Sequence, residues 1–307
     1  MSTDKQIIEE SSMDDVWYFA KQDTSFDNAF KAISIFEETP EGDLPTNYYK
    51  RVAEETGVTS NIRILSVGQL MGLLSKTTPF EKEHYDLEKA TSVYNELARY
   101  SIGSAEYNAI KTEQLLKIRM KAITDTRNID NYGVYPFIII AEILWKLSLK
   151  GVTRIPRDAF YQYVMTLKRH EDIDSCVEKL SQDEKISVDG EMVKRFMSNS
   201  RVETIIKNNM RLFHIDDKYV SIDKDFAEYY TIFFNGPYKG IVSLLYSIVD
   251  DVEKYQEILT KNIGISLNFI DSPQIRPDGN PLVMIKPSTE VMNCSTLHYL
   301  TAIRTKP

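Results

Sequence analysis

Val134-Tyr-Pro-Phe-Ile-Ile-Ile-Ala-Glu-Ile-Leu-Trp-Lys-Leu147 decides the fold class, because past Pro136 it is apolar on nearly every side of a helix. Proline suits the first turn, where its missing N–H needs no partner. We therefore predict a buried helix at the centre of a compact domain. After a tight connection at Gly151–Pro156, the stretch Arg157–Leu167 predicts a helix with an apolar face of Phe160, Tyr163, Val164 and Leu167.

A further amphipathic helix and a hairpin complete the pattern. Ser200–Phe213 predicts the helix, with an apolar face made by Val202, Ile205, Ile206 and Met210. His214–Ile222 then alternates apolar and polar residues around Asp216-Asp217, which is typical of a hairpin turn. Helix-turn-helix proteins enter a major groove with a helix whose open face carries basic and amide side chains. The order therefore predicts a winged helix that reads DNA.

The composition describes an ordinary globular protein. The chain has 307 residues, of which 42% are hydrophobic and 27% are charged, so it can form two or three compact units. No apolar run is long enough for a membrane helix, and the N-terminus is polar and acidic, so we expect a cytoplasmic protein without a membrane partner. Two cysteines and four histidines are dispersed, so the sequence predicts no metal site and no cofactor in this chain.

The net charge of −8 is unusual for a protein that binds nucleic acid, because neutralising phosphates supplies most of the non-specific affinity. The charge is unevenly distributed, however. Acidic residues concentrate in 1–15, 37–43 and 250–253, whereas 146–169 and 194–211 are net basic. A chain with its positive charge in the middle can still present one basic face.

A second, less regular unit precedes the first pattern. Ser25–Phe36 predicts a helix with Ser25 as its N-cap, and Asn47–Thr56 predicts a second helix. Asn61–Leu65 predicts a strand, and Ser66–Leu74 predicts a returning helix. The fold class is therefore mainly α with small β wings, built from tandem winged-helix (helix-turn-helix-like) subdomains linked by helices. The predicted division is a disordered tail at 1–12, a first winged-helix-like subdomain at 13–80, a helical linker at 81–133, a second winged-helix subdomain at 134–235, and a helical and irregular C-terminal region at 236–307.

Several distinct stretches follow one another in order along Val16–Tyr230. They are Val16-Trp-Tyr-Phe19 ahead of an aromatic helix, Tyr48-Tyr-Lys-Arg51 followed by Ile62–Leu70, Tyr135-Pro-Phe137 at the start of an apolar helix, and Arg201–Phe213 with its hairpin. In this order the chain resembles the DNA-recognition region of the AlwI family of type IIS restriction endonucleases, which includes related nicking enzymes. The resemblance implies winged-helix subdomains that bind an asymmetric site, with a separate PD-(D/E)xK nuclease domain towards the C-terminus.

The chain departs from that pattern where the nuclease is expected. Its PD pair is Pro277-Asp278, and the strand-like stretch Pro281–Pro287 follows it. There Met284 stands where a carboxylate that binds Mg²⁺ is expected, two residues before Lys286. We therefore interpret Asp271, Asp278, Lys286 and Glu290 as parts of a polar surface loop. The simplest hypothesis is a recognition subunit that works with a separate nuclease domain or subunit, or a fragment without the catalytic domain. A rearranged catalytic cluster with Mg²⁺ would consist of Asp271, Asp278, Lys286 and Glu290.

The candidate contacts with double-stranded DNA fall into three groups. Base readers in the second subdomain are Arg201, Lys207, Asn208 and Arg211, with Asn199 and Ser200 at the helix entrance. The first subdomain offers Tyr48, Lys50, Arg51 and Arg63. Backbone or minor-groove contacts are Arg127, Asn128, Lys168, Arg169, Lys194 and Arg195.

Two alternatives stay open. The basic helix face is also typical of a solvated surface with i, i+4 pairing, such as Glu203 with Lys207. The chain could accordingly be a winged-helix subunit that binds only protein, or a complete Mg²⁺-dependent nuclease with its active site in the C-terminal third.

Overall fold

The structure is a computed structural model. It describes residues 16–19, 25–38, 46–58, 61–75, 90–120, 133–182, 186–199, 202–210, 212–222, 234–235, 239–261, 265–267 and 283–285. The chain forms two compact units. We call Met1–Lys21 with Arg119–Ala227 the central unit, and Gln22–Ile118 with Glu228–Pro307 the flanking unit.

The described residues are mainly helical, with a small three-stranded antiparallel sheet. The helices are α1 (Phe26–Glu37), α2 (Thr46–Thr56), α3 (Asn61–Leu70), α4 (Ser92–Leu97), α5 (Ala105–Leu116), α6 (Pro136–Leu149), α7 (Arg157–Ala159), α8 (Ile173–Ser181), α9 (Gly190–Asn199), α10 (Val202–Asn209), α11 (Lys239–Ser247) and α12 (Val252–Leu259). The strands are β1 (Arg154–Pro156), β2 (Phe213–Ile215), β3 (Tyr219–Ile222), β4 (Ile265–Leu267) and β5 (Val283–Ile285). No helix in the described ranges is long and apolar enough to cross a membrane.

In the flanking unit, α1 packs against α2 and α3. Ser25 caps α1, as the sequence predicts, by accepting a hydrogen bond from the Asn28 amide. The predicted strand at Asn61–Leu65 is wrong, because these residues form the first half of α3. Ile64, Leu65, Val67 and Leu70 are all buried, at spacings that suit a helix covered on a broad face.

Two further features of the flanking unit bear on the predictions. The strand-like stretch at 281–287 is confirmed for β5, which pairs antiparallel with β4 so that Met284 lies opposite Ser266. Within the linker, the sequence predicts helices at 80–100 and 105–124. Helices α4 and α5 confirm part of each prediction, but residues 98–100 and 117–120 are not helical. Residues 76–89 and 121–132 lie outside the described residues.

The central unit is built around α6. Its residues Phe137–Ala141, Ile143, Leu144 and Leu147 are buried, and Pro136 stands at the first helical position, as predicted. The helix contacts α8 and β3. The predicted hairpin is confirmed: β2 and β3 pair antiparallel, with Phe213 opposite Ile222 and Ile215 opposite Val220.

Strand β1 is an element that the sequence did not reveal. The sequence predicts only a connection at Gly151–Pro156, yet Arg154–Pro156 pairs antiparallel with β3, giving the sheet order β1-β3-β2. Three residues are too few to show a period of two, and Pro156 fits because it ends an edge strand. After α7 the chain makes a single π-helical turn at Phe160–Val164.

Residues 16–19 belong to the central unit, although almost all of that unit lies after residue 118. Trp17 is fully buried, its amide donates to the Met165 carbonyl, and its indole Nε1 donates to the Leu167 carbonyl at 2.6 Å. Phe19 stacks on Phe137. These contacts anchor an N-terminal segment beside the core helix. The predicted boundaries of the subdomains stay predictions.

Candidate nucleic-acid interface

Helix α10 is the element that the sequence assigns to base recognition. Val202, Ile205 and Ile206 are buried, as predicted, and Met210 just after the helix is buried too. Lys207 and Asn208 lie on the exposed side. The helix packs against β2, which leads directly into the hairpin. The helix therefore has one anchored face and one polar face.

A buried carboxylate ties α10 to the start of α7. Arg157 binds Glu203 through one edge of its guanidinium, with Nε and Nη2 within 3.0 Å of the carboxylate oxygens. The Tyr161 hydroxyl, in the π-helical turn, donates to the same carboxylate at 2.6 Å. Lys207 contacts it from one turn further along α10, at 2.5 Å. We call Arg157, Tyr161, Glu203 and Lys207 the Glu203 cluster.

The cluster keeps Glu203 ionised although only 7% of the residue is exposed. Burial opposes the charged form, but hydrogen bonds from Lys207, Tyr161 and Arg157 outweigh it, so the pKa of Glu203 lies below its usual range. Burial, reinforced by the Glu203 charge, raises the pKa of Tyr161 and keeps its hydroxyl protonated. With two cations around one carboxylate, the cluster has a net charge of +1, so it neutralises only part of the positive charge beside α10.

The exposed face of the sheet carries a second polar group. Arg154 lies opposite Ser221, and Ser221 lies opposite His214, so the three residues form one row across all three strands. The row beneath it, Ile155, Val220 and Ile215, is buried on the other face. The guanidinium of Arg154 lies 4.1 Å from the ring centroid of Tyr219.

The tip of the hairpin is not basic. Asp216 Oδ1 accepts hydrogen bonds from the amides of Lys218 and Tyr219, both at 2.7 Å, which fixes the turn. These backbone bonds, helped by the positive charges of His214 and Arg154, lower the pKa of Asp216 below its usual range. With Asp217 beside it, the tip has two carboxylates and one lysine.

The predicted backbone contacts lie at several places in the central unit. Lys168 and Arg169 are exposed between the π-helical turn and α8. Lys168 lines an open cleft of about 340 Å³, together with Tyr163, Thr166, Leu167, Asp172, Ser175, Cys176 and Lys179. In α9, Lys194 pairs with Glu191 at 2.8 Å, and the Arg195 guanidinium lies 5.9 Å from the ring of Phe196. Lys168 and Arg169 are consecutive in the sequence and precede α8, whereas Lys194 and Arg195 belong to α9.

The candidates in α2 of the flanking unit all have acidic or apolar surroundings. Lys50 lies 3.8 Å from Glu54, and Arg51 contacts Glu38 at 3.1 Å and Glu55 at 3.7 Å. Tyr48 is fully buried and donates its hydroxyl to the Ala32 carbonyl. This surface therefore has no excess of positive charge among its described groups. Arg63 is in α3, but its side chain lies outside the described residues.

The remaining candidates also lie outside the described residues. They are Arg127, Asn128, Ser200, Arg201, Arg211, Asp271, Asp278, Lys286 and Glu290, together with the side chain of Asn199. Their roles stay predictions. In the part of the chain that the structure describes, no group of three or more His, Cys, Asp or Glu residues could hold a metal ion.

Sequence reasoning missed Arg154, Arg157 and His214. The signal for His214 was present, because it alternates with the buried residues Phe213 and Ile215. Arg157 could not be found, since Glu203 is 46 positions away in the sequence. No protein-family model matches the chain, and no curated protein is similar to it.

Proposed function

We propose that the central unit is a winged helix that binds double-stranded DNA. The observation that carries the proposal is the order α6, β1, α7, α8, α9, α10, β2, β3, in which α10 leads directly into the hairpin, with the sheet order β1-β3-β2. A core helix, a short strand, a helix with a polar open face and a hairpin pinned against the first strand form the arrangement that places a helix in a major groove and a wing beside it.

The side chains on α10 suit this role. Lys207 supplies charge, and Asn208 supplies an amide that can pair with the edge of adenine. Glu203 fixes the orientation of α10, because charged hydrogen bonds join its carboxylate to Arg157. Lys207 and Asn208 are therefore held in place on a rigid element, as base readout requires.

Within this proposal, the chain is the specificity part of a type IIS restriction or nicking system, as its resemblance to the AlwI family implies. It would act with a nuclease domain or subunit that holds Mg²⁺. A complete Mg²⁺-dependent nuclease is the second candidate function. Asp278 and Lys286 lie before and after β5 in the sequence, as the carboxylate and lysine of such a site would.

The test is selection of duplexes from a random library at two salt concentrations with Mg²⁺ present, followed by inspection of the recovered DNA for nicks. We expect an enriched asymmetric motif, lost on Lys207→Ala. The control is Lys254→Ala, which removes an exposed lysine that is likewise paired locally, with the N-cap residue Asp251 at 3.2 Å.

Each outcome has a different meaning. Nicks that disappear on Asp278→Ala would establish a complete nuclease. Absence of both enrichment and salt-dependent binding would overturn DNA binding and favour a subunit that binds only protein, because counterion release makes any phosphate contact sensitive to salt.

A further inference from the structure

We infer that Arg154, Ser221 and His214 form a phosphodiester-binding row on the exposed face of the sheet. The inference rests on the proposed function, but it concerns a surface distinct from α10. These three residues would position the DNA backbone and would not contact the bases.

The register of the strands defines the row. Arg154 in β1 and His214 in β2 each pair with Ser221 in β3, so the three side chains leave the same face of the sheet at neighbouring positions. Adjacent strands are about 4.8 Å apart, which makes the row roughly 10 Å long. Arg154 and His214 are exposed, and Ser221 is half-buried between them.

The row offers the donors that a phosphodiester needs. A guanidinium donates two parallel hydrogen bonds to phosphate oxygens, and a hydroxyl and an imidazole N–H each donate one. Tyr219 fixes the guanidinium, since Arg154 lies over its ring at 4.1 Å. A stacked arginine loses less side-chain conformational entropy on binding than an unrestrained one, so the Arg154 guanidinium is preorganised for a phosphate.

One carboxylate borders the row and limits its affinity. Asp216 lies close enough to His214 and Arg154 for their charges to lower its pKa. Its Oδ1 is already occupied by the amides of Lys218 and Tyr219. Asn has an equivalent Oδ1, so Asp216→Asn would keep the turn and remove the repelling charge.

The test measures the affinity of the full chain for a short duplex of mixed sequence over a range of salt concentrations. Arg154→Ala should reduce the slope of log affinity against log salt by about one. It should leave the selected motif unchanged, because phosphate contacts carry no base information. The matched control is Arg99→Ala, an exposed arginine paired with Glu96 in the flanking unit. Asp216→Asn should bind more tightly than the natural chain.

Failure of the row is distinguishable from failure of DNA binding. If the natural chain binds the duplex and Arg154→Ala leaves the salt slope unchanged, the row is overturned. If the natural chain binds no duplex, a titration with inorganic phosphate decides the question. Its readout is the chemical shifts of the amide resonances of His214 and Ser221. Shifts confined to the row and lost on Arg154→Ala would retain it as a phosphate site, and absence of shifts would overturn it.

Discussion

In the proposed function, Glu203 sets how available Lys207 is for DNA. The carboxylate holds Lys207 at 2.5 Å, yet it keeps its hydrogen bonds to the Arg157 guanidinium and the Tyr161 hydroxyl when Lys207 departs. Lys207 can therefore leave for a phosphate without stranding a buried charge, which would otherwise be costly.

This arrangement predicts a gain of affinity for Glu203→Gln. Removing the competing charge should raise affinity for duplex DNA by about two- to fivefold, because the ammonium group of Lys207, the exposed partner of the pair, is then available to a phosphate. The measurement is a double-mutant cycle with Lys207→Ala, read as duplex affinity at fixed salt. The gain should be larger in the presence of Lys207 than in its absence. Equal gains would show that Glu203 acts only through its general charge, and the thermal midpoint of each variant checks that the fold is kept.

Gly72 has a left-handed backbone conformation and no room for a side chain. Its φ is +72°, and a Cβ atom there would lie 2.2 Å from the Leu259 carbonyl oxygen and 2.6 Å from Gln114 Nε2. Gly57 has nearly the same φ, +73°, but nothing within 4 Å of the same position. The pair separates backbone strain from steric clash.

We expect Gly57→Ala to lower the free energy of unfolding by about 1 to 2 kcal/mol, the cost of a left-handed conformation. Gly72→Ala should lose a further amount of about 1 to 3 kcal/mol, because backbone and a hydrogen-bonded amide must shift. Urea unfolding measures both values. Similar losses at the two positions would contradict the close packing around Gly72.

At the residue scale, the sequence predicts what is local. The buried face of α10 is confirmed, because a period of 3.6 fixes which side chains share a side. The alternative pairing of Glu203 with Lys207 is also observed, since it spans only one helical turn. The burial of Glu203 was not predictable, because it depends on Arg157, which reaches it from another element.

At the scale of elements, length decides what could be predicted. The hairpin at 213–222 follows from alternation and an Asp-Asp turn, whereas β1 has three residues and no readable period. The strand predicted at 61–65 fails for the opposite reason. Ile64 and Leu65 are buried side by side in α3, where neighbouring elements cover most of the helix and outweigh the local alternation.

Thr91 provides a test of how one element is anchored. Its hydroxyl caps α4 by accepting from the Tyr94 amide at 3.3 Å, and it donates to the Gly72 carbonyl at 2.7 Å. Thr91→Ala should therefore lower the free energy of unfolding by about 1 kcal/mol for the cap and about 1 kcal/mol for the lost hydrogen bond. Thr91→Ser keeps the hydroxyl and should retain most of that stability in the same urea titration. A loss as large for Ser as for Ala would mean that the methyl group matters and the cap does not.

At the scale of the whole molecule, the net charge hides two different regions. Residues 119–227 contain 18 basic and 17 acidic side chains, and the other residues contain 19 basic and 28 acidic ones. The acidic excess therefore lies outside the segment that carries α10 and the sheet. This division follows from the sequence alone, but the composition of the whole chain conceals it.

The assignment of residues 16–19 to the central unit could not be predicted, because no local pattern connects them with α6. Trp17 is 150 positions from Leu167, whose carbonyl it binds. Only the folded contacts reveal that the predicted DNA-binding unit depends on an N-terminal segment.

That dependence gives a prediction for the whole chain. Trp17→Ala should lower the stability of the central unit by about 3 to 5 kcal/mol, because it empties a fully buried site. Trp17→Phe keeps an aromatic ring but leaves the Leu167 carbonyl without the indole N–H, so the loss should be smaller, about 1 to 3 kcal/mol. The chain has two tryptophans, Trp17 and Trp145, and both belong to the central unit. The fluorescence of Trp145 therefore reports the unfolding of the central unit in each variant. An unchanged fluorescence transition for Trp17→Ala would contradict the packing of residues 16–19 on this unit. If the proposed function holds, duplex binding should disappear at the temperature where the Trp145 signal changes, since α10 has no support once its core opens.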